Sequence, residues 1–202
     1  MENQEIGYNH SALDRDKVLK FMLPFLEEKH GIRLFLQGLY FDGDETCVVA
    51  TDGYKMATTH LLYHPDFDGK IIDPRSMEIV SRSYPDWKKA RKVNYKTLDE
   101  YPDALTLPPG LSKSFIKKSA FIVEKNGNSV TLRQIDVEEF KAANEDKTIY
   151  WYRGEHLLPV FDVVKKHPLR AELFEDRLCV GNDFIRIEIM PTVFMKKSSP
   201  RD

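Results

Sequence analysis

Apolar side chains recur at helical spacing in three segments of the chain. In residues 14–30 the apolar stripe consists of Val18, Leu19, Met22, Phe25 and Leu26, with charged residues on the other side. GEHLLPVFDVVKKH (154–167) carries a similar stripe, and Pro74 suits the first turn of a helix PRSMEIVSR (74–82). The pattern therefore predicts three helices, each burying one side.

Segments rich in β-branched and aromatic residues predict strands between and after these helices. The first group is RLFLQGLYF (33–41), TCVVAT (46–51), KMATTHLLY (55–63) and KII (70–72). SAFIVEK (119–125) and SVTLRQI (129–135) flank Asn-Gly-Asn, which predicts a hairpin. TIYWY (148–152), LRAELFE, RLCVG and FIRIEIM complete the set, whereas residues 83–118 are expected to be an irregular connector and 136–147 a polar loop.

The order of elements repeats along the chain. MLPFLEEKHGIRLFL (22–36) and LLPVFDVVKKHPLRAEL (157–173) share a Leu-Pro pair, a Lys-His pair and an arginine that opens the next strand. We expect an α+β fold of three β-α-β-β-β units, with helices on one face of antiparallel sheets. The expected domains are residues 1–140, which include the connector, and residues 141–202.

Charge and composition limit the possible partners. The 202 residues are 42% hydrophobic, and 30 basic against 32 acidic residues give a formal net charge of −2, so any DNA contact must be local. Cys47 and Cys179 lie in apolar runs, which predicts buried thiols and a reducing cytoplasm. No signal segment or run of about 20 apolar residues is present, so neither secretion nor membrane insertion is expected.

The segment VVATDGYKMA (48–57) carries the strongest local signal. By physical chemistry alone it is a hairpin, because Thr51 and Asp52 can bond the turn backbone and Gly53 permits positive φ. The string also closely resembles the "ATDGHRLA" signature of the bacterial DNA polymerase III β subunit, the DNA sliding clamp. KIIDPRSMEIVSR (70–82) resembles the clamp segment "VIVPRKGVIEL", and RIEIMPTVF resembles the terminal "VVMPMRL". The resemblance covers residues 15–82 and 148–194; YPDW (84–87) is similar to the clamp's "FPDY" but stands too early.

The resemblance implies a hydrophobic groove for short linear motifs of DNA polymerase or repair proteins. Carried over, the groove would use Thr51, Gly53, Tyr54, Lys55, Met56, Met190, Pro191 and Thr192. A soft apolar cleft of this kind accepts leucine and phenylalanine side chains. Without the resemblance, Met56 and Met190 are better interpreted as ordinary core residues. Thr192 and Val193 depart from the family pattern, so partner preference is expected to differ.

The resemblance also implies helices that line double-stranded DNA and contact it non-specifically. The candidate phosphate contacts are Arg15, Lys17, Lys20, Arg75, Arg82, Lys165 and Lys166, together with Lys88, Lys89, Arg91 and Lys92 of the basic run KKARK. That run has an alternative interpretation as a solvated loop. Clamps form rings, so a homo-oligomer of three or four copies is expected from a chain of this length.

Enzymatic alternatives rest on weaker signals. His60 and His64 lack further zinc ligands in sequence, and the acidic residues Asp42, Asp44, Glu45 and Asp52 could hold Mg²⁺ for nuclease chemistry or form polar turns. No nucleophile or nucleotide motif is present, so no cofactor, metal or catalytic residue is expected. The leading hypothesis is a non-catalytic processivity or recruitment factor. The alternatives are a non-circular peptide-binding adapter and a metal-dependent nuclease.

Overall fold

The structure is a computed structural model that describes residues 20–28, 31–60, 63, 65–80, 83–90, 103–145, 151–164, 169–174, 177–182 and 185–192. The strands are β1 (Leu39–Asp42), β2 (Cys47–Thr51), β3 (Lys55–Thr59), β4 (Ile71–Ile72), β5 (Asp103–Thr106), β6 (Ala120–Asn126), β7 (Ser129–Ile135), β8 (Trp151–Arg153), β9 (Arg170–Phe174), β10 (Arg177–Gly181) and β11 (Ile185–Ile189). The α-helices are α1 (Trp87–Ala90), α2 (Lys113–Lys118), α3 (Val137–Glu145) and α4 (Gly154–Val164). Short 3-10 helices span Leu23–Phe25, Leu34–Leu36 and Pro65–Phe67.

The strands form a sheet in the order β4-β1-β2-β3-β11-β10-β9-β5-β7-β6-β8. Its pairings are antiparallel except for β5 and β7, which run parallel. The N-terminal and C-terminal strands meet where β3 pairs with β11, with Lys55 opposite Ile189 and Thr59 opposite Ile185. The backbone continues this seam beyond the strands, since the Met190 amide donates to the Tyr54 carbonyl at 2.9 Å.

The sheet is buried on both faces around β2. Successive side chains of a strand point to opposite faces, so Val48 and Ala50 join the main core while Cys47 and Val49 face the other side. On that other side Trp87 covers them in a smaller cluster. This smaller cluster therefore places Trp87 near the turn that follows β2.

Helices α2 and α4 pack together at the start of α4. Gly154 is required there, because a Cβ on this residue would overlap the carbonyl oxygen of Ile116. The Gly154 amide donates to Ser119 at 2.8 Å, and Lys113 pairs with Asp162 at 2.6 Å across the two helices. The contact places Lys113 near the end of α4 and the last turn of α2, with Lys117 and Lys118, near its start.

Much of the predicted α+β architecture is confirmed. The segments Cys47–Thr51, Ile71–Ile72, Arg170–Phe174, Arg177–Gly181 and Ile185–Ile189 are strands as expected, and β6 and β7 form the predicted hairpin. Helix 154–167 is confirmed as Gly154–Val164 within the described residues. Cys47 and Cys179 are buried thiols, as expected. The division of the chain at residue 140 stays a prediction.

The first predicted helix and the first predicted strand are each too long. Residues 20–22 are helical, but a 3-10 helix follows and the backbone is extended at Leu26 (φ −83°, ψ 153°), so the helix does not reach residue 30. Pro24 lies in that 3-10 turn, where a missing amide hydrogen is tolerated. Residues 34–36 are also a 3-10 helix, and the strand begins only at Leu39.

The helix predicted at 74–82 is wrong over the described residues 74–80, which fold back as a hairpin. The Asp73 amide donates to Glu78, the Val80 amide donates to Ile71, and Met77 has φ +61°. The Asp73 carboxylate accepts the Arg75 amide at 2.8 Å, which is the turn that competes with a helix start. Residues 81 and 82 lie outside the described part, and Arg75 is not on a helix.

Two segments expected to be irregular contain regular structure. Residues 137–145 of the predicted loop 136–147 form α3, and the predicted connector 83–118 contains α1, β5 and α2. Helix α3 starts because Asp136 accepts the Glu139 amide at 2.8 Å while Glu139 accepts the Asp136 amide at 3.1 Å. Within the described residues, no helix is long and apolar enough to cross a lipid bilayer.

Candidate functional site

The turn between β2 and β3 is fixed by its own side chains. The Thr51 hydroxyl donates to the Lys55 carbonyl at 2.8 Å and accepts the Gly53 amide at 3.0 Å. Asp52 accepts the amides of Tyr54 and Lys55 at 2.9 and 3.0 Å, and its other oxygen pairs with the Lys55 ammonium. Gly53 has φ +88°. The segment therefore presents a preset turn at the seam between β3 and β11.

Beside this turn lies a cavity of about 280 Å³, which we call the Met56–Met190 groove. It is lined by Arg33, Phe35, Leu36, Thr51, Gly53, Tyr54, Lys55, Met56, Pro85, Asp86, Trp87, Arg177, Glu188 and Met190. Tyr54 and Met190 keep 55% and 40% of their surface exposed. Exposed aromatic and thioether groups around a cavity form a surface suited to apolar side chains of a ligand.

The charged groups of the groove are paired within the protein. Arg177 and Glu188, on adjacent strands, form a buried ion pair at 2.7 Å. Lys55, with 9% of its side chain exposed, pairs with Asp52. Because these charges are already compensated, the groove offers apolar surface without a strong local field.

Tyr54 stands at the mouth of the groove between two polar neighbours. Its ring stacks on His156 of α4 at 5.1 Å between centroids, and the Arg33 guanidinium lies 5.8 Å from the ring centroid. Arg33 is held by Glu27 at 2.5 Å. Burial and the nearby Lys55 ammonium lower the pKa of His156, which favours the neutral ring in this stack.

Residues 83–90, which we call the Trp87 segment, supply the wall that sequence reasoning missed. Pro85, Asp86 and Trp87 line the groove. The available signal is the similarity of YPDW (84–87) to the clamp string "FPDY", although it stands too early in the chain to extend the match. In the structure the segment reaches the groove because it contacts β1 and β2, whatever its distance from the turn along the sequence.

Six of the eight predicted groove residues line the Met56–Met190 groove: Thr51, Gly53, Tyr54, Lys55, Met56 and Met190. Pro191 and Thr192 follow β11 directly, and the Thr192 amide donates to the Trp151 carbonyl at 2.8 Å. Thr192 therefore ties the end of β11 to β8. Arg33, Phe35 and Leu36 also line the groove. They precede the matched turn and belong to the internal repeat 22–36, but to none of the strings that resemble the clamp.

Among the candidate DNA contacts, the structure describes Lys20, Arg75, Lys88 and Lys89. Lys20 and Arg75 are exposed. Lys88 pairs with Asp42 at 3.2 Å and Asp44 at 3.5 Å, and Lys89 pairs with Asp86 at 3.1 Å. The other candidates lie outside the described residues: Arg15, Lys17, Arg82, Arg91, Lys92, Lys165 and Lys166.

Helix α2 presents basic residues that the sequence interpretation did not include. Lys113, Lys117 and Lys118 are exposed on this helix, which packs against α4. The sequence predicts an irregular connector for this segment. Without a predicted helix, its lysines cannot be assigned to a common surface. Lys113 pairs with Asp162, whereas Lys117 and Lys118 lie in the last turn of α2, near the start of α4, where they are candidates for phosphate contact.

The acidic residues considered for Mg²⁺ separate in the fold. Asp42 lies opposite Cys47 at one end of β2, whereas Asp52 follows Thr51 at the other end. Each of these two carboxylates pairs with a lysine. Over the described part of the chain, no group of three histidine, cysteine, aspartate or glutamate residues could hold a metal ion. His60 is exposed with Nδ1 3.3 Å from the Thr46 carbonyl, and His64 is not described.

The fold is that of bacterial DNA polymerase sliding clamps. The Helicobacter pylori beta clamp bound to a DNA ligase peptide superposes with a TM-score of 0.54 at 15% identity, covering 88% of this chain and 63% of that one. The sliding clamp of Caulobacter crescentus gives 0.56 at 12% identity, covering 90% and 65%. The Bartonella birtlesii clamp bound to griselimycin gives 0.54 at 12% identity, with the same coverage.

The likeness is one of structure rather than of sequence. Neither a protein-family model nor a curated protein matches the chain. The chain spans less than two thirds of the length of the clamps it resembles.

Proposed function

We propose that this chain is a sliding-clamp-like DNA polymerase processivity or recruitment factor with no catalytic role. It binds short peptide motifs of polymerase or repair proteins in the Met56–Met190 groove and contacts double-stranded DNA non-specifically. The observation that carries the proposal is that the turn 51–56 and the end of β11 line one apolar groove.

The chemistry of the groove supports a peptide ligand. Its volume of about 280 Å³ is small, so it suits one or two apolar anchor side chains of a longer segment. Met56 and Met190 are adaptable surfaces for such anchors. A clamp of the same fold, from Helicobacter pylori, is bound to a DNA ligase peptide.

The test is binding of a fluorescein-labelled Gln-Leu-Ser-Leu-Phe peptide, followed by fluorescence polarisation. We expect micromolar affinity, roughly −8 kcal/mol, and at least tenfold weaker binding for Met190→Ala, because an anchor loses its apolar partner. Met77→Ala is the matched control, since Met77 is also exposed (54%) but does not line the groove.

Two results would contradict the proposed site. The wild-type chain could fail to bind the peptide at high micromolar concentration. Alternatively, Met190→Ala and Met77→Ala could have equal effects, which would place the peptide elsewhere on the surface.

A non-circular peptide-binding adapter is the second candidate. One observation favours it: Lys88 and Lys89 of the basic run are already paired with acidic residues. Light scattering separates the candidates. A ring requires three or four copies of the 23.5 kDa chain, whereas an adapter is expected as a monomer that binds peptide. The separated, lysine-paired carboxylates give the nuclease alternative no support.

A further inference from the structure

The Trp87 segment reaches the groove through side-chain contacts. Among the described residues, 83–90 contribute no strand to the sheet, and α1 is a single turn. The Tyr84 ring stacks on Tyr40 of β1 at 4.7 Å with an interplanar angle of 9°. Three residues later the Trp87 indole donates to Asp42, also of β1, at 2.8 Å. Two anchors on one strand therefore fix the segment.

Asp42 is the polar anchor of the two, and its side chain is only 5% exposed. Its Oδ1 accepts the Glu45 amide at 3.1 Å, while Oδ2 accepts the Trp87 indole and pairs with Lys88. Burial alone would raise the pKa of Asp42, but these hydrogen bonds hold it below its usual value. The carboxylate is thus ionised and oriented toward the indole at neutral pH.

Asp42 does not line the groove, whereas Trp87 does. The indole clusters with Cys47, Val49 and Met56 on the sheet face opposite the main core, and Met56 is itself a groove residue. An indole hydrogen bond restricts rotation of the ring, so it determines which surface Trp87 presents beside Met56. A change at Asp42 is therefore transmitted to the groove through Trp87.

We propose that Asp42 is a positioning residue for ligand binding: through its hydrogen bond to the Trp87 indole it fixes the wall of the Met56–Met190 groove. Its effect on affinity rests on the proposed peptide-binding function, whereas its effect on Trp87 does not.

The first measurement needs no peptide. The chain has two tryptophans, so 5-fluorotryptophan labelling gives two ¹⁹F resonances, which Trp87→Phe assigns. Asp42→Ala is expected to shift and broaden the Trp87 resonance, whereas the Trp151 resonance keeps its position and width. Asp42→Asn keeps one acceptor oxygen for the two donors, the Glu45 amide and the Trp87 indole, so its Trp87 resonance is expected between those of wild type and Asp42→Ala. Asp44→Ala is the matched control, because Asp44 also pairs with Lys88 but is 92% exposed.

The second measurement is a double-mutant cycle on peptide affinity. We expect Asp42→Ala to weaken binding of the Gln-Leu-Ser-Leu-Phe peptide about fivefold, with a smaller loss for Asp42→Asn, which keeps one of the two acceptor oxygens. In a Trp87→Phe background, which keeps an aromatic ring but lacks the indole donor, Asp42→Ala has no further effect on affinity. A purely structural role would lower the melting temperature and leave the affinity of the folded chain unchanged.

An unchanged Trp87 resonance in Asp42→Ala overturns the inference, as does an affinity loss of the same size in both backgrounds. If the wild-type chain binds no peptide, the proposed function and the affinity effect fail together. The ¹⁹F spectra then decide whether Asp42 fixes Trp87.

Discussion

Gly53 combines two constraints at one residue. Its φ of +88° lies in the region that costs other residues about 1–2 kcal/mol. A Cβ there would also overlap the Nη1 atom of Arg33, whose guanidinium lies near the Tyr54 ring. The first constraint concerns stability, and the second concerns the mouth of the groove.

The two effects can be separated with a second glycine. Gly53→Ala is expected to lower the free energy of unfolding by about 1–2 kcal/mol and to weaken peptide binding several-fold, because Arg33 must move. Gly127 also has positive φ (+59°), but a Cβ there meets nothing within 4 Å. Gly127→Ala should therefore lower the free energy of unfolding measured in urea and leave the affinity for the peptide unchanged. Equal affinity losses in both variants would remove Arg33 from the explanation.

His156 gives the protein a pH dependence in the weakly acidic range. Its pKa in the folded chain is lowered from 6.5, so the unfolded chain binds the proton more tightly. The free energy of unfolding therefore decreases as the pH falls from about 6.5 toward the pKa of the folded state. Below that pKa it does not decrease further on account of His156. Urea unfolding between about pH 7.5 and pH 5 should show this loss in wild type and less of it in His156→Gln. His60→Gln, at an exposed histidine, is the control.

At the scale of elements, local patterns predicted strands better than they predicted helix ends. Strands β2, β9, β10 and β11 follow from runs of apolar residues bounded by turns. Residues 74–80 carry an apolar spacing typical of a helix, yet Ile72 pairs with Ile79 in a bridge. Backbone pairing with a neighbouring strand overrode the local preference, which a periodicity argument does not consider.

Helix α3 was predictable from its first residues. Asp136 and Glu139 form a reciprocal cap. The segment is so polar, however, that its sequence pattern predicts a loop. Asp136→Ala is expected to lower the free energy of unfolding by about 1 kcal/mol, since a helix amide loses its acceptor. Glu138→Ala, also at an exposed residue of the first turn, is the control. Equal changes in the urea midpoint for both would show that the cap contributes nothing.

The groove could be predicted only in part from the sequence. The turn 51–56 and Met190 each lie in a short contiguous motif, so a local resemblance found both. The Trp87 segment contributes through an indole and a carboxylate separated by 45 positions in the chain, and such a contact leaves no local pattern. From the sequence, its partner residue Asp42 is interpreted only as a metal ligand or as part of a polar turn.

For the whole molecule, the formal charge of −2 means that the proposed retention on DNA requires ring topology and a local basic surface. If the chain forms a ring, we expect it to stay on a nicked circular plasmid during gel filtration and to dissociate when a restriction enzyme linearises that plasmid. A short linear duplex should bind weakly. Tight, sequence-specific and salt-resistant binding to the short duplex would indicate base readout and contradict encirclement.

The pairing of β3 with β11 also has a consequence for biosynthesis. Strand β11 leaves the ribosome last among the described strands, so the edge of β3 that pairs with it stays unpaired until then. Contacts between such distant segments are slow to form, because a long loop must close first. A nascent chain that lacks Ile185–Met190 has no complete groove, so under the proposed function it recruits no partner until β11 is in place.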